Sequence, residues 1–163
     1  MKRGSTLFLK IAVFLIGAPV LGLCLFLLPQ IAMEAIEQAQ KGGELAYVVF
    51  GILIILYGSA VPFYVALYQA LKLLSYIDKS EAFSQNSVIA LKKIKLCAIT
   101  ISGLYLVALP LIYIIAEWDD APGLILIGLV VMGASIVIAV FAAVLQRLLQ
   151  EAIHIKSEND LTV

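Results

Sequence analysis

Charge is what this chain has least of, and four long stretches have none. Asp, Glu, Lys and Arg supply 13% of its 163 residues, against about 25% in soluble globular domains. None of them occurs in Ile11–Met33, Leu45–Leu71, Leu96–Ala116 or Ala121–Gln146. Proton relays and ion pathways place ionisable side chains inside the membrane, and these runs lack them. His154 is the one histidine, which leaves too few partners for a haem held among four helices. Gly-rich phosphate loops, Cys/His zinc spacings and an assembled Ser-His-Asp set are also missing. The expectation is a protein with no catalytic residue, no metal and no cofactor, and therefore not an enzyme.

What is present is apolar length. At about 1.5 Å per helical residue, each uncharged run can cross a hydrocarbon core of about 30 Å. The charges left over are sorted between the runs. Ten of the eleven Lys and Arg residues lie in the N-terminal segment (Lys2, Arg3, Lys10), the second connection (Lys72, Lys79, Lys92, Lys93, Lys95) and the C-terminal segment (Arg147, Lys156). The first and third connections hold only Lys41, beside Glu34, Glu37, Glu44, Glu117, Asp119 and Asp120. By the positive-inside rule both termini are cytoplasmic. The reading is an all-α integral membrane protein, four transmembrane helices in an antiparallel bundle, forming one domain over 1–163. Its spans are 9–33, 45–71, 96–116 and 121–146, with a cytoplasmic loop 72–95 and a cytoplasmic tail 147–163. The apolar run after Lys2 and Arg3 is too long for a signal peptide and lacks a clean cleavage site, so the first span is expected to stay. Cys24 and Cys97 sit late and early in parallel helices, about 15–25 Å apart in depth. That is beyond disulfide reach.

Small residues mark where helices can meet. Ala18 and Gly22 in span one, and Ser135, Ala139 and Ala143 in span four, recur every four residues and suit close packing. Tyr57, Tyr64 and Tyr68 in span two suit an aromatic interface belt and helix-to-helix hydrogen bonds. Ser84 to Ser87 offers helix caps. The Val88, Leu91, Ile94 pattern interleaved with Lys92, Lys93 and Lys95 describes a basic amphipathic helix on the inner membrane surface. Asp120 is placed to cap span four ahead of Pro122. Past span four, Leu148, Leu149 and Ile153 continue a helical pattern toward a polar tail.

Several segments resemble the bacterial membrane family called domain of unknown function 2975 over nearly the whole chain. They are Tyr68-Gln69-Ala70-Leu71-Lys72-Leu73-Leu74, Tyr76-Ile77-Asp78, Ala82-Phe83-Ser84, Leu91-Lys92-Lys93-Ile94-Lys95, Asp119-Asp120-Ala121-Pro122-Gly123 and Glu158-Asn159-Asp160-Leu161-Thr162-Val163. The resemblance implies four spans in the bacterial plasma membrane and carries no catalytic or binding residues over. It also implies a partner, because similar members are often encoded beside a small helix-turn-helix regulator. The resulting expectation is a sensor or tether for that regulator, with the lipid bilayer and a homo-oligomer as further partners and no direct nucleic-acid binding. Its partner-binding or membrane-surface residues would be Lys92, Lys93, Lys95, Leu148, Leu149, Ile153, Asn159 and Asp160. The alternative is a small channel or an accessory subunit of a transporter.

Overall fold

The computed structural model describes residues 2–162. Met1 and Val163, the last residue of the closing motif, lie outside the described residues. Helix α1 (Lys2–Gly22) passes through a five-residue π-helical segment (Leu23–Leu27) into α2 (Leu28–Gln40). Helices α3 (Leu45–Asp78), α4 (Gln85–Trp118) and α5 (Gly123–Thr162) follow. No strand occurs among the described residues. Four stretches are long and apolar enough to cross a membrane: Gly4–Gln40, Leu45–Asp78, Gln85–Trp118 and Gly123–Leu161. In the most apolar window of each, only 11% of the residues are buried within the protein. Apolar faces turned outward on this scale are stable only where hydrocarbon replaces water.

The helices run as an antiparallel series. The first span packs on α3, α3 on α4, and α4 on α5. Small side chains are buried on both helices of the α4–α5 pair: Ala98, Ala108 and Ala116 on α4, and Gly128, Ser135 and Ala142 on α5. Between and beyond them on α5, Met132, Ala139, Gln146, Leu149 and Ile153 are half-buried, so the covered face of α5 recurs at alternating steps of three and four, as in left-handed helix pairs. A Cβ on Gly128 would lie 3.1 Å from Leu109 Cδ2 and 3.2 Å from Ile112 Cδ1, the close approach that small residues permit in membranes. Ser135 satisfies its own hydroxyl by donating to the Val131 carbonyl at 2.9 Å.

Helices overrun the apolar spans at the end that carries the lysines. The non-helical part of the second connection is 79–84, because α3 continues to Asp78 and α4 begins at Gln85. Ser84 caps α4 in extended backbone and accepts from the Ser87 amide. Ser87 is fully buried and donates to the Glu81 carbonyl. Val88, Ala90 and Leu91 are buried too. The apolar face of this segment therefore packs inside the protein as the opening turns of α4.

Three helix ends close the same way. Gly43, Glu81 and Ala121 each donate an amide to a carbonyl five residues back, on Gln38, Tyr76 and Ala116. The residue before each donor is left-handed: Gly42 at φ 82°, Ser80 at 60° and Asp120 at 50°. These are Schellman closures. Asp120 thus ends α4 in place of capping α5, because its backbone has already turned left-handed to satisfy α4's last carbonyls.

Candidate functional site

The basic end is fastened by an ionic clasp between α1 and α3. Thr6 and Lys10 are one turn apart on α1 and so face the same way. Asp78 is the last residue of α3. Lys10 Nζ lies 2.7 Å from Asp78 Oδ2, and Thr6 Oγ1 donates to Asp78 Oδ1. Thr6 is only 4% exposed. The pair is part-buried, with the Lys10 and Asp78 side chains 32% and 21% exposed, and the Asp78 carboxylate accepts charge-assisted or hydroxyl hydrogen bonds on both oxygens. Sequence reading passed over it because its partners are 68 and 72 residues apart.

The middle of the first span is repaired by two tyrosines of α3. In the π segment the Leu28 amide reaches back five residues to the Leu23 carbonyl. By the same step the Cys24 carbonyl would need the amide of residue 29, which is Pro29 and has none. Tyr57 Oη donates to Cys24 O at 2.9 Å and fills that vacancy. Tyr64 Oη donates to Gly17 O at 2.9 Å. Tyr68 remains exposed, with Lys72 Nζ 5.1 Å from its ring centroid.

The residues singled out from sequence fall in different surroundings. Lys92 and Lys93 are exposed on α4, and Lys95 is half-buried. Leu148, Asn159 and Asp160 are exposed, whereas Leu149 and Ile153 are half-buried on α5. In span one the close approach is at Gly17, where a Cβ would lie 3.1 Å from Leu67 Cδ1; Ala18 is exposed, and a Cβ on Gly22 would meet nothing within 4 Å. The crossing is set one residue earlier, a rotation of about 100° around the helix. In span four Ser135 is buried, with Ala139 and Ala143 half-buried. Past that span, Arg147 pairs with Glu151 at 3.9 Å and His154 with Glu158 at 3.2 Å, both on the surface.

At the acidic end the helices part around a cavity of about 480 Å³. Every span contributes to its wall. Leu28, Ile31 and Ala35 come from α2, Val49, Leu53 and Leu56 from α3, Tyr105 and Ile112 from α4, and Ile127 and Val131 from α5. Glu34, Gln38 and Asp119 also line it, from the turns nearest the acidic connections. Among the described residues no three His, Cys, Asp or Glu side chains group as a metal site would require. A second hollow of about 370 Å³ lies between α1 and α3, beside Phe14, Ala18 and Tyr68.

This architecture defines an all-α membrane protein of four spans. The chain belongs to the family described as protein of unknown function (DUF2975), whose model matches residues 9–163. Over 163 residues, 100% of each chain, it is 61% identical to the uncharacterized membrane protein YoaS of Bacillus subtilis (strain 168). No solved structure matches it. The family read from the central and closing segments of the sequence is the one found.

Proposed function

We propose that this chain is a non-enzymatic regulator of the bacterial plasma membrane, a sensor or tether that holds a small cytoplasmic helix-turn-helix transcription factor. In this reading the basic end and both termini are cytoplasmic, which the lysine distribution supports. The supporting observation is the length of α5. Helix continues from Arg147 to Thr162 beyond the last uncharged span, a stalk of about 24 Å. Leu148 and Ile155, two turns apart and on one face, are 56% and 58% exposed there. Apolar side chains at that spacing suit a partner helix laid along the stalk. Leu149 and Ile153 are half-buried, so the exposed Leu148 and Ile155 carry the contact. The partner class is the one that the family resemblance implies.

The test is crosslinked affinity purification from native membranes, with identification of co-purifying proteins. A helix-turn-helix regulator should be recovered, and Leu148→Asp with Ile155→Asp should reduce its recovery about tenfold. Recovery of transporter subunits in its place, or undiminished recovery with the double variant, rejects the reading.

A further inference from the structure

The acidic-end cavity has the dimensions and the charge of a receptor for one class of molecule. Its α4 wall runs from Tyr105 to Asp119, about 21 Å at the helical rise. A volume of about 480 Å³ along that depth leaves room for an alkyl chain. The walls along it are apolar, with Ile31, Leu53, Ile112 and Val131 on four different helices. The charges are confined to one end, where Glu34 and Asp119 line the slot and are exposed to solvent. Among the described residues neither carboxylate has an ion-pair partner. Lys41 is the single basic residue of the connections at that end. A phosphate- or carboxylate-headed chain entering this slot would bring like charge against both groups, whereas an ammonium would neutralise them.

We propose that the cavity binds a single-chain amphiphile with a cationic head, its ammonium at the rim with Glu34 and Asp119 and its tail extended past Leu53 toward Tyr105. The proposal rests on the fold alone and not on the tether reading, so either can fail without the other.

The probe is a dodecylammonium carrying a diazirine at the end of its chain, offered to the full-length protein in zwitterionic lipid nanodiscs. Photolabelling should map to the peptides holding Leu56 and Tyr105. Unlabelled dodecylammonium should compete at least tenfold better than dodecyl sulfate or dodecyl maltoside. Glu34→Gln with Asp119→Asn should cut labelling about tenfold. Glu37→Gln with Glu44→Gln removes the same charge from residues outside the lining and should leave labelling unchanged. Val131→Phe fills the slot without touching a carboxylate and should abolish labelling. Gel-filtration elution and helical circular dichroism confirm that each variant is folded. Labels scattered over outward residues such as Phe8 and Phe141, equal competition by dodecyl sulfate, or wild-type labelling of the Glu34→Gln, Asp119→Asn protein would each overturn the proposal.

Discussion

Tyr57→Phe isolates one hydrogen bond and leaves the ring in place. The Cys24 carbonyl is the acceptor that Pro29 strands, and the Tyr57 hydroxyl reaches it at 2.9 Å. Tyr57 is 41% exposed, but this exposure is to hydrocarbon, so water cannot take over when the hydroxyl is removed. An unsatisfied buried acceptor costs about 1–3 kcal/mol. Measured hydrogen bonds between membrane helices average about 0.6 kcal/mol and reach about 1.7. The value expected here is about 1–2 kcal/mol, because no competing donor is available. Tyr64→Phe should cost less than about 1 kcal/mol, since Gly17 lies inside α1 and its carbonyl keeps a helical partner.

The decisive measurement is a double-mutant cycle with Pro29→Ala, read by equilibrium unfolding in mixed micelles. Alanine restores an amide at position 29, which can serve Cys24 directly. In that background Tyr57→Phe should fall below about 0.5 kcal/mol, giving a coupling of about 1 kcal/mol. A tyrosine acting only as an interface anchor would lose the same amount in both backgrounds. Equal costs would therefore refute the carbonyl-repair argument.

Two further perturbations probe the fold's fastenings. Asp78→Asn removes the charge that Lys10 pairs with at 2.7 Å and should cost about 1–3 kcal/mol in the same unfolding assay, part of which adding Lys10→Met to Asp78→Asn should return by removing the unpaired ammonium. At the helix ends, Gly42→Ala places a Cβ on backbone at φ 82° and should cost about 1 kcal/mol, while Ser80→Gly relieves φ 60° and should gain about 0.5–1 kcal/mol.

The four spans were legible because charge is costly in hydrocarbon, so absence of charge marks a span directly. The extent of the helices was less legible. Lys72 to Asp78 holds charged and polar residues and reads as loop, yet lysine and leucine are good helix formers once neighbouring helices supply packing. Val88 to Lys95 was legible as a helix, but its apolar face packs inside the protein and not on the membrane surface. Ser84 was visible as a cap because capping is a local act of one side chain on the next turn. The clasp at Asp78 and the repair at Cys24 were not visible in the same way. Pro29 announces that some carbonyl loses its donor, but which tyrosine answers depends on how α1 crosses α3. That crossing turns on Gly17 meeting Leu67, a matter of one residue's rotation that the spacing of Ala18 and Gly22 could not decide.

The same distribution of bonds determines which wall of the acidic-end cavity can yield. α3, α4 and α5 are joined in series by packed seams, and α4 with α5 by small residues at close approach. The hydrogen bonds that hold the first span to α3 are those of Thr6 and Lys10 with Asp78, Tyr64 with Gly17, and Tyr57 with Cys24. Among the described residues they stop at Cys24, and none joins α2 to another helix. Beyond Cys24 the chain is π-helical and then loses an amide at Pro29, the combination that bends helices. α2 supplies Leu28, Ile31, Glu34, Ala35 and Gln38 to the cavity. The tyrosine at Cys24 therefore marks the boundary between a fixed half-helix and a wall held by packing alone. Any widening of the slot falls on α2, pivoting where Pro29 removed the donor.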